Sequence, residues 1–280
     1  MKSEPRILVT GTNGMVGSYI DFGIKTDRKT LDVTKPEHIK TAIDLHRPDV
    51  IIHLAALTDL DYCEKNPDKA YMTNTVGTYN IALASRDRGI KLIYISTAGI
   101  FNGTEHVPYK ETATGQPQNH YGHSKYAGEL IVQSILKDFI IARTCWLFGG
   151  GPEKDKKFVA KIISQFDKPE IKALEDNFGS PTFAKDLANA FKSLIDQNSR
   201  GTFHLAGTGK CSRYDFAKFI VQTLKPEIPV IPVSGEYFKL EAKRVPNEAL
   251  ASRVNLMRPW KKALKEYLET EWREYVKSKY

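Results

Sequence analysis

The stretch RILVTGTNGMVGSYI, residues 6–20, constrains this chain more than any other. A short β-branched run passes directly into Gly11, Gly14 and Gly17 at the spacing G-x-x-G-x-x-G, and an apolar pattern resumes after the last glycine. Between a strand and a helix, such glycines allow a tight turn, close approach of backbone to a pyrophosphate, and close packing of helix on strand. The first N–H groups of the helix then face the phosphates. Alone, a glycine triplet is equally a structural turn. At the first strand of an α/β chain it predicts dinucleotide binding.

The rest of the sequence supplies that context. After RILVTG come three further apolar runs, PDVIIHLAA, KLIYISTAG and FIIARTCWLFG. They are separated by helical patterns in PEHIKTAIDLH, PDKAYMTNTVGTYNIALASRDRG and SKYAGELIVQSIL. Nearly continuous apolar strands alternating with helices predict a parallel sheet covered on both faces, a doubly wound α/β fold of the Rossmann type. Between Gly17 and LDVT there is little room, so the first helix and second strand must be abbreviated. The loop-like stretches lie around 102–120 and 149–157. The second, GGGPEKDKK, interrupts the alternation and suggests a division: residues 1–150 mainly dinucleotide-binding, and 151–280 a smaller, mainly substrate-binding part from which some chain returns to the first.

Composition narrows the function classes. With 280 residues and 41% hydrophobic content the chain can bury a large core. The start, MKSEPRILVTG, has no signal-peptide pattern and no run reaches the length of a membrane span, so a soluble cytoplasmic protein without membrane partners is expected. Cys63, Cys145 and Cys211 are distant and odd in number, which argues against a disulfide framework. Seven histidines show no metal-ligand spacing, so no metal is expected. The net charge of +8 is interleaved with acids. Its densest cluster, RPWKKALKEYLETEWREYVKSKY, has amphipathic helical spacing and four glutamates. That reads as a solvated helix face rather than a nucleic-acid surface, and the diffuse positive field suits an anionic small molecule.

In NHYGHSKYAGEL, Tyr121 and Lys125 stand four apart where a helix begins, so both side chains point into one space. The pair alone is ordinary surface chemistry. About a hundred residues after a dinucleotide turn, and with STAG ending an intervening strand, it resembles the extended short-chain dehydrogenase/reductase superfamily. It is most similar to the branch containing dTDP-4-dehydrorhamnose reductase. The closer match is carried, in order, by LDVTKPE, RPDVIIHLAALTDLDYCEKNP, YISTAGIFNG, NHYGHSKYAGE, RTCWLFG, EDNFGSPTFAKDLA and KRVPNEALASRVN.

The resemblance implies an NAD(P)H-dependent oxidoreductase acting on a nucleotide sugar, with Thr97, Tyr121 and Lys125 catalytic. Hydride reduction of a ketone creates alkoxide character, so a proton donor must stand at the carbonyl oxygen. Tyr121 fits, and a lysine ammonium at ~4 Å supplies on the order of 4 kcal/mol toward the phenolate, enough to draw a phenol from a pKa of about 10 toward neutrality. The resemblance further implies that Lys125 holds the nicotinamide ribose, with Tyr121 also at the cofactor. Gly11, Asn13, Gly14, Met15, Val16 and Gly17 would line the phosphates, Asp32 and Val33 the adenine, and Leu54, Ala55, Ala56 and Thr58 the passage of the cofactor. Thr97, Ala98, Tyr121 and Trp146 would face the substrate, the tryptophan as a platform for the sugar. Helix–sheet packing is the plain alternative for the alanines, and core burial for Trp146.

At the adenosine ribose, Asp27 can accept from a 2′-hydroxyl whereas Arg28 can pair with a 2′-phosphate. With Lys25 and Lys29 adjacent, NADPH is the expected cofactor, with NADH also accepted. One departure stands out. Reductases of this branch usually continue the strand as Ser-Thr-Asp-Tyr, whereas here Ala98 and Gly99 follow Thr97. A carboxylate and a phenol are thus missing beside the sugar. Their loss leaves the hexose open and argues against a 4,6-dehydratase, whose elimination needs an acid and a base there. The expected reaction is reduction of a nucleotide-linked 4-keto-6-deoxy sugar, dTDP-4-dehydro-L-rhamnose to dTDP-L-rhamnose. The alternatives are a nucleotide-sugar epimerase and a non-catalytic regulatory subunit similar to the methionine adenosyltransferase β subunit. The assembly, a homodimer among the options, stays open.

Overall fold

The computed structural model describes residues 4–280. The four apolar runs form strands β1 (Ile7–Thr10), β3 (Val50–His53), β4 (Lys91–Thr97) and β5 (Phe139–Thr144), with a two-residue β2 (Ile24–Lys25) between the first two. A strand not foreseen in the sequence, Gly201–His204, pairs with β5. The all-parallel sheet runs in the order Gly201–His204, β5, β4, β3, β1, β2. The order reverses between β1 and β3, and a doubly wound sheet binds its ligands in the crevice outside the carboxyl ends at such a point.

Period-two alternation distributes the strand residues to two cores. Leu8, Ile51, Leu92, Tyr94 and Ile141 pack with Ile39, Ile43, Ile81 and Val132 from the helices Pro36–His46, Gly77–Arg88 and His120–Ile135. Val9, Ile52, Ile93, Ile95 and Ile140 pack on the other face, against Leu187, Phe191 and Leu194 of the helix Ala184–Asp196. A third core gathers Phe148, Phe166, Phe183, Phe216 and Leu264 with Trp260, Tyr267 and Trp272 of the C-terminal segment. The tail predicted as a solvated helix therefore has a buried apolar stripe, and its charges lie on the opposite face.

The helix expected after the glycine turn is reduced to one 3-10 turn, Val16–Tyr19. The cause is local: Ile20 is buried, Gly23 turns the chain at φ +74°, and β2 begins at Ile24, so no length remains for a helix. An ion pair, Arg143 to Glu129 at 2.8 Å, ties β5 to the His120–Ile135 helix with both side chains buried. Arg143 donates a further bond to the carbonyl of Glu111.

Candidate functional site

The three glycines divide into two kinds. A Cβ on Gly11, which has φ +72°, would fall 2.6 Å from the amide nitrogen of Ala55, so this glycine lets the loops after β1 and β3 touch. A Cβ on Gly17 would fall 2.3 Å from the carbonyl oxygen of Thr12. Gly14 is exposed, and a Cβ there meets only the Gly11 carbonyl oxygen at 3.4 Å. Two glycines serve the protein's own packing, and the third keeps the backbone bare toward a cleft.

That cleft, about 810 Å³, runs over the carboxyl ends of the strands and into the C-terminal part. Every residue that the sequence nominated lines it. At one end are Gly11, Asn13, Gly14, Met15, Val16 and Gly17 with Asp27, Arg28, Asp32 and Val33. Leu54, Ala55, Ala56 and Thr58 follow, then Thr97, Ala98, Tyr121, Lys125 and Trp146. A volume of this size suits a dinucleotide cofactor and part of a second ligand. Ser96 Oγ near the end of β4 and Thr144 Oγ1 at the end of β5 are each buried without a hydrogen-bond partner among the described residues, and both residues line the same cleft. Orphaned hydroxyls of this kind call for a polar ligand. The bare Gly14 backbone and this polar wall fit a dinucleotide.

Asp27 and Arg28 separate in role. The Asp27 carboxylate accepts from the amides of Lys29 and Thr30 and from Asn13 Nδ2 at 2.9 Å, bonds that hold its pKa below the usual range with the Thr30 amide contributing most. It is thereby engaged in shaping its own turn. The Arg28 side chain is 84% exposed, with only a loose 3.7 Å pairing to Asp32, and is free to meet an anion.

Tyr121 and Lys125 are delivered by the His120–Ile135 helix, whose N-cap Asn119 accepts from the amide of Gly122 at 2.8 Å. Two glycines set its seat. A Cβ on Gly122 would come within 2.2 Å of the Gly99 carbonyl oxygen, and one on Gly128 within 2.3 Å of the Tyr94 hydroxyl. The helix start can thus press against Ala98–Gly99 and bring Tyr121 to Thr97. The Thr97 hydroxyl accepts from the amide of Gly99 at 3.0 Å and keeps its own proton to donate.

The electrostatics differ from the expectation of a phenol drawn toward neutrality. Burial pushes the Tyr121 phenol up to about 12, and the nearby Thr97 hydroxyl opposes this only in part. Burial also brings Lys125 down to about 7, opposed by the charge of Glu129, and its ammonium sits 4.1 Å over the centre of the Tyr94 ring. Desolvation leads both shifts and neither group is among the causes of the other's, so the attraction expected of a ~4 Å pair in a uniform medium does not set these values. His53, buried between Thr10 at 2.9 Å and Thr78 at 3.2 Å, falls to about 3, from burial first and then from Lys125.

Trp146 stands on the cleft wall with a left-handed backbone, φ +43°, a costly conformation for a bulky residue. The guanidinium of Arg213 stacks 3.5 Å from the ring centre, and Gly179 packs so closely that a Cβ there would fall 2.3 Å from the indole. The indole therefore offers its edge rather than an open face. Its Nε1–H donates to Glu248 at 2.8 Å.

Sequence reasoning passed over Arg213, Glu248 and Asn74. Asn74, fully buried in the π-turn Met72–Val76, clamps Leu57 by accepting from its amide at 2.8 Å and donating to its carbonyl at 3.0 Å. It also donates to Ser124. The cleft-lining loop and the Tyr121 helix thus share one anchor. Only a lone asparagine inside a helical pattern signalled it. Among the described residues no cluster of three or more His, Cys, Asp or Glu could hold a metal, and no helix is long and apolar enough to cross a membrane.

The model of the RmlD substrate binding domain matches residues 5–273. The chain belongs to that family. Among its relatives, the spore coat polysaccharide biosynthesis protein SpsK of Bacillus subtilis is 32% identical over 94% of this chain and 97% of its own length. The dTDP-4-dehydrorhamnose reductase of Mycobacterium tuberculosis is also 32% identical, over 92% and 91%. The crystal structure of dTDP-4-dehydrorhamnose reductase from Bacillus anthracis in complex with NADP superimposes with a TM-score of 0.90 at 34% identity, over 96% of this chain and 99% of that one. This family member thus shares its fold with a protein solved in complex with NADP.

Proposed function

We propose that this protein is an NADPH-dependent reductase of a nucleotide-linked 4-keto-6-deoxy sugar, converting dTDP-4-dehydro-L-rhamnose to dTDP-L-rhamnose. The observation that carries this reading is the meeting of Thr97, Tyr121 and Lys125 in one cleft with the bare Gly14 turn, in a chain of the RmlD family. The Gly11–Gly17 segment with Asn13, Met15 and Val16 would hold the diphosphate. Asp32 and Val33 would hold the adenine, Arg28 the 2′-phosphate, and Leu54, Ala55, Ala56 and Thr58 the stretch between. Lys125 would hold the nicotinamide ribose, with Tyr121 beside the cofactor. NADPH, when bound, supplies the hydride, and NADH serves as the weaker substitute because Arg28 then has no phosphate to pair with.

The raised pKa of Tyr121 suits reduction. A phenol that titrates near 12 is fully protonated at neutral pH, which is the form a proton donor needs, and an alkoxide is basic enough to take its proton. Tyr121 gives that proton to the former carbonyl oxygen, while the Thr97 hydroxyl donates to the same oxygen and holds it in place. Lys125, lowered to about 7, stabilises the phenolate left behind in the fraction of molecules where it carries its proton. Trp146 borders the sugar with its edge, beside Ala98. Three buried, unpaired cysteines suit a reducing cytoplasm.

The test is direct. Incubated with dTDP-4-dehydro-L-rhamnose, the protein is expected to oxidise NADPH one for one with substrate, followed by absorbance. An epimerase would interconvert sugars without net absorbance change, and a regulatory subunit would bind nucleotide without turnover; either result refutes the reductase reading.

A further inference from the structure

We propose that Glu248 determines which 4-keto sugar is accepted, by setting its carboxylate against the C3 hydroxyl beside the reacting carbonyl. This rests on the reductase reading above. A Cβ placed on Gly99 would lie 3.4 Å from Thr97 Oγ1 and 3.7 Å from Glu248 Oε1, so the hydroxyl of Thr97 and the carboxylate of Glu248 border one methyl-sized space. Ala98 and Gly99, which follow Thr97, place nothing larger than a methyl beside it. A carboxylate from a distant part of the chain reaches the edge of that space.

Glu248 is held for this task. Its amide donates to the Phe178 carbonyl at 2.8 Å, and the preceding Asn247 is buried and donates to the carbonyls of Glu105 at 2.7 Å and Val107 at 3.0 Å. One carboxylate oxygen, Oε2, takes the indole N–H of Trp146. The other, Oε1, receives no hydrogen bond among the described residues and belongs to the cleft. The Arg213 guanidinium stacked on the same indole supplies a compensating positive charge, and Glu248 in turn favours its protonated form. An anchored carboxylate with one unused oxygen is a preorganised acceptor for a hydroxyl. In a 4-keto-6-deoxy sugar the neighbours of the carbonyl are C3, with its hydroxyl, and C5, with its methyl. With the carbonyl oxygen at Thr97 and Tyr121, the hydroxyl beside Glu248 is therefore that of C3.

The experiment compares wild type, Glu248→Gln and Gly99→Ala with NADPH and two substrates, dTDP-4-dehydro-L-rhamnose and its 3-deoxy counterpart. Glutamine retains an acceptor for Trp146 but loses the charge that receives the sugar hydroxyl. Glu248→Gln is expected to lower kcat/KM for the 3-hydroxy substrate by about 10- to 150-fold, the range of a hydrogen bond to a charged group, and to leave the 3-deoxy substrate within about twofold. NADPH affinity, read by fluorescence, stays within about twofold. Gly99→Ala meets only ordinary contact distances and folds normally, and its methyl lowers the same preference by occupying the shared space. Equal losses on both substrates in Glu248→Gln would mean that Glu248 acts only through Trp146 or Tyr121, and would overturn the inference. An unchanged preference in both variants would overturn it as well while leaving the reductase reading intact. If wild type oxidises NADPH with neither substrate, the reductase reading fails and this inference falls with it.

Discussion

Gly14 and Gly17 are three residues apart in one motif, yet alanine is expected to act oppositely at the two. At Gly14 the new methyl meets only the Gly11 carbonyl oxygen, at 3.4 Å, and the residue lacks a positive φ. The folded state is barely disturbed, and the loss of chain freedom in the unfolded state adds about 0.4 to 1 kcal/mol of stability. The methyl projects where phosphates must approach the backbone, so NADPH affinity is expected to fall about tenfold or more, equivalent to about 1.4 kcal/mol. At Gly17 the methyl would lie 2.3 Å from the Thr12 carbonyl oxygen and 2.4 Å from its Cα, in a buried turn, so backbone must move. Overpacking of that kind costs roughly 1 to 3 kcal/mol or more. Urea unfolding of the free proteins and NADPH fluorescence titration at a temperature where all are folded separate the effects. Gly14→Ala should keep or raise its midpoint and bind poorly, and Gly17→Ala should lose midpoint whatever its binding. A Gly14→Ala protein that binds NADPH as wild type does would refute the assignment of this bare backbone to the phosphates.

Three further outcomes are expected. Tyr121→Phe should reduce turnover by a factor of about 10² to 10⁴ with NADPH binding nearly intact, since the proton-donating hydroxyl is removed while Lys125 still holds the ribose; wild-type turnover in steady-state assays would eliminate Tyr121 as donor. Arg28→Ala should weaken NADPH by about tenfold and leave NADH nearly unchanged, because the side chain is exposed and Asp27 is engaged in its own turn; parallel titrations with both cofactors decide it. Acid should destabilise the fold through His53, whose folded pKa of about 3 lies below the unfolded value of about 6.5. The unfolded chain then binds the proton first, so the contribution is complete above pH ~6.5 and declines toward pH ~3, by on the order of 1.4 kcal/mol per pH unit. His204, lowered to about 4 chiefly by burial, adds to the slope over the same range. Urea unfolding between pH 7 and 5 should therefore show a shallower slope in His53→Asn than in wild type, and equal slopes would count against a buried neutral imidazole.

The sequence by itself determined the class of fold and the chemistry-bearing positions. Continuous apolar strands at β1, β3, β4 and β5 can only be buried on both faces, and glycine spacing and the four-residue step from Tyr121 to Lys125 are local patterns whose geometry follows from strand and helix periods. The Gly201–His204 strand escaped notice because four residues that begin Gly-Thr have almost no pattern of their own. They become a strand because β5 offers them a free edge. Tertiary structure alone decided the rest. Burial of Tyr121 and Lys125 depends on how the helix seats on Gly122 and Gly128, and with it the direction of both pKa shifts. The stacking of Arg213 on Trp146 and the approach of Glu248 to the space beside Gly99 join residues remote in the chain. Such contacts leave no period in the sequence, because their spacing is set by packing of separate elements and not by the repeat of any one of them.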